Sequence, residues 1–273
     1  MGVQTYFLGS NSANGFHSLY DQFCPPEGSN FLWVIKGGPG CGKSSFMRKI
    51  GRTAEEKGFN VEYVLCSGDP DSLDGVYIPQ LGLGYVDGTA PHVLDVPYPG
   101  AHGSYLDLGQ FYDIERLKDR KTEITDINKT YKGIYERAYK TLAEIPSPST
   151  ENTEIQCKKM FHTAVSCKGI LCLKPHEKAE TVSISELKCI TDFQNKYDIA
   201  YMHPLWPNII TGFYSKIDEK YYETDIPVPN CENAVSHLRK AKELHDELEK
   251  IYNPNVNFDG VYNLADQHIR NYL

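Results

Sequence analysis

Residues 31–44 read FLWVIKGGPGCGKS, and this stretch decides the fold class. Its apolar first half ends in glycines, which predicts a buried parallel strand. Residues 44–57 carry apolar side chains at helical spacing, and Gly58 follows where a helix C-cap belongs. Val61 to Cys66 and Leu81 to Val86 are two further predicted strands. Because a strand, a helix and a strand follow in that order, we predict a right-handed crossover within a parallel sheet.

The junction between the first strand and the helix matches G-x-x-x-x-G-K-[ST], the Walker A pattern of a phosphate-binding loop. Glycines let the backbone wrap a phosphate without Cβ clashes, and the N–H groups at a helix N-terminus point at the anion. Lys43 would bring a positive charge to the β and γ oxygens, and the Ser44 hydroxyl is a hard ligand for Mg²⁺. We therefore expect ATP and Mg²⁺ as cofactors. The predicted binding residues are Gly37, Gly38, Pro39, Gly40, Cys41, Gly42, Lys43, Ser44 and Ser45.

Three aspartates are candidates for chemistry beside this loop. Asp87 ends the third predicted strand, so it would join Ser44 in holding the metal; the alternative is a turn aspartate before Gly88. Asp69 and Asp74 follow the second predicted strand, and ligands of open α/β sheets sit beyond such strand ends. Either carboxylate would bind metal or act as a base toward a substrate hydroxyl, unless it only caps a turn. Lys43, Asp87, Asp69 and Asp74 are therefore the predicted catalytic residues.

Cys41 lies inside the loop, where the helix dipole and Lys43 would favour its thiolate and make it sensitive to oxidation. The alternative is a small residue that fills the outer side of the loop. A basic cluster opens the predicted helical stretch from Ile114 to Ile145, and it would either close over phosphates or form a solvated helix face. Its members are Arg116, Lys118, Arg120 and Lys121. His92 would sense the γ-phosphate or be an ordinary loop histidine.

Asn195-Lys196-Tyr197-Asp198 matches N-K-x-D, the pattern that reads guanine in GTPases. Here it follows a predicted helix rather than an apolar strand. The D-x-x-G pattern of GTPases is also missing at Asp87, where the sequence reads DGTA. ATP is therefore preferred over GTP.

Composition limits the class of partner. The chain has 273 residues, with 28 Lys and Arg against 36 Asp and Glu, for a formal net charge of −8. This charge argues against broad binding to nucleic acid or to an anionic membrane. The eight cysteines form no Cys-x-x-Cys pair, so we expect reduced thiols rather than a zinc site. No stretch has the pattern of a signal peptide or a membrane span, and a cytoplasmic location is expected.

The Pro- and Ser-rich stretch after residue 145 is predicted to be a linker. It divides a P-loop nucleotide-binding domain, residues 1–145, from a C-terminal α/β region, residues 146–273. Residues 95–110 are predicted to form an ordered loop. Strands are predicted near 159–166, 169–173 and 198–203, and an apolar stripe predicts a C-terminal helix that stops at Pro254.

Four stretches together resemble a family of uncharacterised bacterial P-loop ATPases. They read KGGPGCGKS, DPDSLDGVYIP, VDGTAPH and, near the C-terminus, LHDELEKIYNPNVNFD. The resemblance implies a P-loop NTPase fold and nucleotide binding with hydrolysis, without identifying a substrate. Members of the family usually carry two tandem modules. Here only one GK[ST] exists, and a faint similarity of Phe161–Gly169 to Phe7–Gly15 suggests a degenerate second module.

The expected fold is therefore a three-layer αβα P-loop NTPase with a mainly parallel sheet and a helical C-terminus. Three functions stay open. The first is an Mg-ATP-dependent ATPase, a hydrolase of the β–γ phosphoanhydride. The second is a kinase that transfers the γ-phosphate to a nucleotide or small molecule. The third is a non-catalytic nucleotide-binding module that recruits a protein partner.

Overall fold

The computed structural model describes residues 2–91, 93–147, 179–182, 199–202, 205–206, 210–215, 220–224 and 230–273. The strands are β1 (Val3–Tyr6), β2 (Gly9–Ser12), β3 (Gly15–Ser18), β4 (Phe31–Lys36), β5 (Val61–Leu65), β6 (Leu73–Ile78), β7 (Leu83–Asp87), β8 (Gly103–Asp107), β9 (Ala179–Val182), β10 (Ile199–Met202), β11 (Ile210–Ser215) and β12 (Lys220–Thr224). The helices are α1 (Lys43–Glu56), α2 (Ile114–Asp119), α3 (Lys121–Ala143), α4 (Glu232–Tyr252) and α5 (Phe258–Tyr272).

The central sheet has six strands in the order β1-β5-β6-β7-β4-β8. Strand β6 runs antiparallel to both of its neighbours, and every other pair is parallel. The protein is therefore α/β with a mostly parallel sheet, as predicted. Strand β4 lies between β7 and β8, and its register pairs Ile35 with Asp87. This register brings Asp87 to the same sheet edge as the segment that follows β4.

The two faces of the sheet are covered differently. Helices α1 and α5 cover one face, where Phe46 and Ile50 of α1 meet Val261 and Ala265 of α5 in one buried cluster. Residues 6–24, which include the β2–β3 hairpin, form a second buried cluster with side chains of the sheet. Those sheet residues include Val34, Val64 and Val86. The predicted three-layer fold has helices on both faces of the sheet. In the described residues of this second cluster, the sheet packs instead against the β2–β3 hairpin and its flanking turns.

Strands β1, β6 and β8 of the central sheet were absent from the sequence prediction. Strand β8 lies within residues 95–110, so the prediction of a loop there is wrong for Gly103–Asp107. This strand pairs along β4 and buries only Gly103 and Leu106, so its sequence lacks a strong apolar run. Strand β6 was missed because Asp74 and Gly75 resemble turn residues, although both are buried.

The C-terminal helices share the core of the first 145 residues. Helix α4 packs along α3, and α5 packs on α1. The predicted boundary at residue 146 thus does not separate these two helices from the preceding core. In chain order, the described strands between α3 and α4 form a separate four-stranded sheet, β10-β11-β12-β9, in which β9 is parallel to β12. The strands predicted near 159–166 and 169–173, and the Phe161–Gly169 similarity, lie outside the described residues.

Among the described residues, no helix combines the length and the apolar character that a membrane crossing requires.

Candidate functional site

The loop after β4 has a backbone that requires glycine at two positions. Gly40 and Gly42 have φ values of +64° and +92°, in the left-handed region that L side chains rarely adopt. A Cβ on Gly40 would lie 2.5 Å from Asn253 Oδ1, and one on Gly42 would lie 3.3 Å from both Phe258 Cε1 and Val261 Cγ1. Gly42 caps α1, which begins at Lys43. The local sequence therefore specifies a tight turn that leads directly into a helix N-terminus.

The Lys43 ammonium lies at the centre of this site. Its Nζ donates to the carbonyl oxygens of Gly37, at 2.8 Å, and Gly38, at 2.9 Å. Nζ also lies 3.5 Å from Asp87 Oδ2, and each of the two side chains is 11% exposed. Burial is the largest single influence and lowers the pKa of the Lys43 ammonium. Asp87, Cys41 and Asp74 together outweigh burial, so the pKa is raised above its ordinary value.

Asp87 uses its two carboxylate oxygens differently. Oδ1 accepts hydrogen bonds from the Thr89 backbone N–H, at 2.8 Å, and from the Thr89 hydroxyl, at 2.6 Å. Oδ2 faces Lys43. The turn that was the predicted alternative is therefore present, and the metal-binding role of Asp87 stays a prediction. The turn fixes the orientation of the carboxylate, because Oδ1 is bound within two residues of Asp87.

Ser44 is the second residue of α1, and its hydroxyl points to the start of β6. Ser44 Oγ accepts a hydrogen bond from Leu73 N at 2.9 Å, while the following Ser45 is exposed. The hydroxyl retains its own proton and one acceptor site. Ser44, the residue after Lys43, and Asp87, whose Oδ2 lies 3.5 Å from Lys43 Nζ, thus provide two oxygen donors of the kind that Mg²⁺ prefers.

The structure separates the two other candidate aspartates. Asp74 is the extra residue of a β-bulge, since Val64 pairs with Gly75 and Leu65 pairs with Leu73. Its buried carboxylate accepts a hydrogen bond from Tyr20 Oη at 2.8 Å. The pKa of the Cys66 thiol is raised well above its ordinary value. Burial is the larger cause, and the nearby Asp74 charge is the second. Asp74 therefore belongs to a buried polar network with Tyr20 and Cys66, and its charge also acts to raise the pKa of Lys43.

Asp69 instead faces the helices that pack over the sheet edge. Its Oδ2 lies 3.1 Å from Lys242 Nζ of α4, and the Lys242 side chain is 11% exposed. Lys242 also forms an ion pair with Asp246. Asp69 and Asp74 thus have different partners, and their catalytic roles stay predictions.

Cys41 differs from the prediction of a thiolate. The residue is 1% exposed, and burial raises the pKa of its thiol even though Lys43 acts in the opposite direction. The sulphur lies inside the loop, 2.5 Å from where a Cβ on Gly37 would stand. The prediction of a favoured thiolate is therefore wrong in direction, and the alternative of a small residue that fills the loop fits the burial better.

The basic cluster near the start of the long helical stretch forms local ion pairs on exposed surface. Arg116 pairs with Asp113, Lys118 with Glu115, and Arg120 with Glu123, each three residues apart; Lys121 is exposed. This arrangement fits the solvated helix face that was one of the two predictions. His92 and Asn195–Asp198 lie outside the described residues.

The sequence prediction missed the residues that roof the loop. Gly38 N donates to Tyr112 Oη at 2.5 Å, and the Tyr112 ring lies 5.6 Å from the Tyr252 ring, centroid to centroid. Tyr252 and Asn253 border Gly38 and Gly40. All three roof residues are distant in sequence from the loop. Residues 244–259 contributed to the family resemblance, but no local sequence pattern predicts that they touch the loop after β4.

Comparison with protein-family models, with curated proteins and with solved structures finds no match to this chain.

Proposed function

We propose that the chain is a P-loop NTPase that binds Mg-ATP at residues 37–45 and hydrolyses it to ADP and phosphate. One observation carries the proposal: Lys43 Nζ is held between two loop carbonyls and the Asp87 carboxylate of the adjacent strand. A strand, a glycine-rich turn and a helix N-terminus make an anion site, because the backbone N–H groups and the helix dipole favour negative charge. Lys43 adds the side-chain charge that a triphosphate requires.

The donor set supports magnesium as the metal. The Ser44 hydroxyl and the Asp87 carboxylate are oxygen ligands, and Mg²⁺ is usually bound by one or two such protein groups together with phosphates. When bound, the metal would neutralise charge on the transferred phosphoryl group. The chain's own contribution is to hold Asp87 through Thr89, to keep Lys43 charged, and to exclude side chains from the loop at Gly40 and Gly42.

Transfer to a small-molecule acceptor is the second candidate. It is favoured by the position of Asp69 at the same sheet edge as Asp87, where a carboxylate would accept a proton from an acceptor hydroxyl. The Asp69–Lys242 ion pair would have to open for this role. Hydrolysis releases ADP and free phosphate in equal amounts, whereas transfer releases ADP without free phosphate, so both products are to be measured. Nucleotide binding without turnover favours the third function, a non-catalytic module.

The test compares two lysines of the same helix. Lys43→Ala removes the cation of the loop, so ADP release should fall by at least about 10²-fold, or about 2.7 kcal/mol on the transition-state scale. Lys49→Ala is the control, since Lys49 pairs with Asp266 at 2.7 Å away from the loop and is 34% exposed. Its turnover should match that of the unaltered chain. Unchanged turnover in purified Lys43→Ala protein would refute the assignment.

A further inference from the structure

The order of strands β7, β4 and β8 indicates which way a nucleotide bound at the loop would point. Asp87 ends β7 and lies beside Lys43, so the γ end of a triphosphate faces the β7 side of β4. Strand β8 is the neighbour of β4 on the opposite side. A triphosphate that crosses the carboxyl edge of β4 therefore has its nucleoside end toward the residues that follow β8.

The segment between α4 and α5, residues 253–257, is bonded to the residues that follow β8. Tyr112 forms an antiparallel bridge with Val256. Asp113 N donates to Asn255 O at 2.8 Å, and Asn257 N donates to Phe111 O at 2.9 Å. These backbone bonds hold the residues that follow Tyr252 and Asn253, and Tyr252 and Asn253 themselves border the glycines of the loop.

The chemistry of these two residues suits an aromatic base. Tyr252 presents a half-buried ring at the loop, and aromatic side chains stack on bases of any sequence. Asn253 is exposed, and within the described part of the chain its side-chain amide makes no hydrogen bond. An amide offers a donor beside an acceptor, which matches the N6 and N7 groups of adenine, whereas guanine presents two acceptors at that edge.

We infer that Tyr252 and Asn253 form the nucleobase subsite: the Tyr252 ring stacks on the base, and the Asn253 amide reads its edge with a preference for adenine. This inference rests on the proposed function, because the phosphates must lie in the loop for the base to reach these residues. It assigns the C-terminal segment a role in recognition in addition to its packing on the core.

The test uses a ligand without a base. Affinities for Mg-ATP, Mg-GTP and Mg-tripolyphosphate are measured by calorimetry for the unaltered chain, Tyr252→Ala, Tyr252→Phe and Asn253→Ala. Tyr252→Ala should weaken ATP binding by about tenfold and leave tripolyphosphate binding unchanged, whereas Tyr252→Phe should retain ATP affinity. Asn253→Ala should lower the ratio of ATP to GTP affinity.

Two outcomes overturn the inference while the proposed function stands. One is unchanged ATP affinity in Tyr252→Ala. The other is an equal loss for ATP and tripolyphosphate, which means that Tyr252 only supports the loop. If the unaltered chain binds neither ligand, the proposed function fails, and the base subsite fails with it.

Discussion

The Ser44 hydroxyl accepts a hydrogen bond from the backbone N–H of Leu73 at 2.9 Å, and this bond ties the start of helix α1 to the start of strand β6. Removing the hydroxyl leaves that N–H without its partner in a buried residue, which costs about 1–3 kcal/mol. We therefore expect Ser44→Ala to lower the free energy of unfolding by about this amount in the absence of nucleotide. Urea denaturation measures it. Ser44→Thr keeps the hydroxyl and should retain most of the stability, and equal losses in the two variants would contradict the role of the bond.

Glycine at position 40 is expected to be indispensable. Gly40→Ala places a Cβ at a φ of +64° and 2.5 Å from Asn253 Oδ1, so stability should fall by at least about 1–2 kcal/mol. Gly133→Ala is the matched control, because Gly133 lies inside α3 and a Cβ there meets only Arg137, at 3.8 Å. The control should gain up to about 1 kcal/mol from helix propensity. Thermal unfolding compares the two variants, and the same sign for both would refute the prediction.

The charge of Asp87 is expected to act through the metal. Asp87→Asn keeps an oxygen for Thr89 but removes the charge that faces Lys43, so the pKa of Lys43 should fall. The response of nucleotide affinity to Mg²⁺ should weaken more than the affinity measured without metal. Asp107→Asn is the control, since Asp107 ends β8 on the other side of β4 and its Oδ1 accepts from Gly109 N at 2.7 Å. Equal Mg²⁺ titrations for Asp87→Asn and the unaltered chain would argue against this role.

Stability should fall in mild acid through His268. This residue of α5 is buried against Trp33, Phe46 and Tyr85, and Tyr85 Oη lies 3.2 Å from its Nδ1. Burial lowers its pKa in the folded chain, so below about pH 6.5 the unfolded chain binds more protons and folding weakens as the pH falls. Tyr85, which faces Nδ1, stays neutral in that range, because burial raises the pKa of its hydroxyl.

His268→Gln removes the titration, so the free energy of unfolding should depend less on pH in this variant than in the unaltered chain. Urea unfolding from about pH 7.5 to about pH 5 tests it. His17 and His245 also have lowered pKa values from burial, and they act equally in both chains. Identical pH slopes would remove His268 as the cause.

Local patterns predicted the part of the fold that is continuous in sequence. The apolar run before Lys36, the helical spacing after Lys43 and the strand that ends at Asp87 all form as predicted, because each is specified by its own periodicity. Strand β8 was missed because it pairs along β4 through its backbone and buries few side chains. Sequence composition does not indicate such pairing.

The geometry of the candidate site was predictable where it is local in sequence and not where it depends on long-range packing, and the chemical roles of its residues stay predictions. The loop motif identifies Lys43 and Ser44 directly. The partners of Asp69 and Asp74, namely Lys242 and Tyr20, become visible only when helix α4 and the residues before β4 are placed in space. The Cys41 thiolate was wrongly predicted for a similar reason, because the burial that raises its pKa arises from packing around the loop.

The contact between Gly40 and Asn253 joins two regions that are synthesised far apart in time. During translation Asn253 leaves the ribosome only after the 213 residues that lead from Gly40 to it have been made (253 − 40 = 213). Contacts of such large sequence separation form late, because the closure entropy of the intervening chain must be overcome first. A nascent chain cut short before this segment would therefore carry the motif without the contact at Gly40, and under the proposed function its nucleotide site would be incomplete.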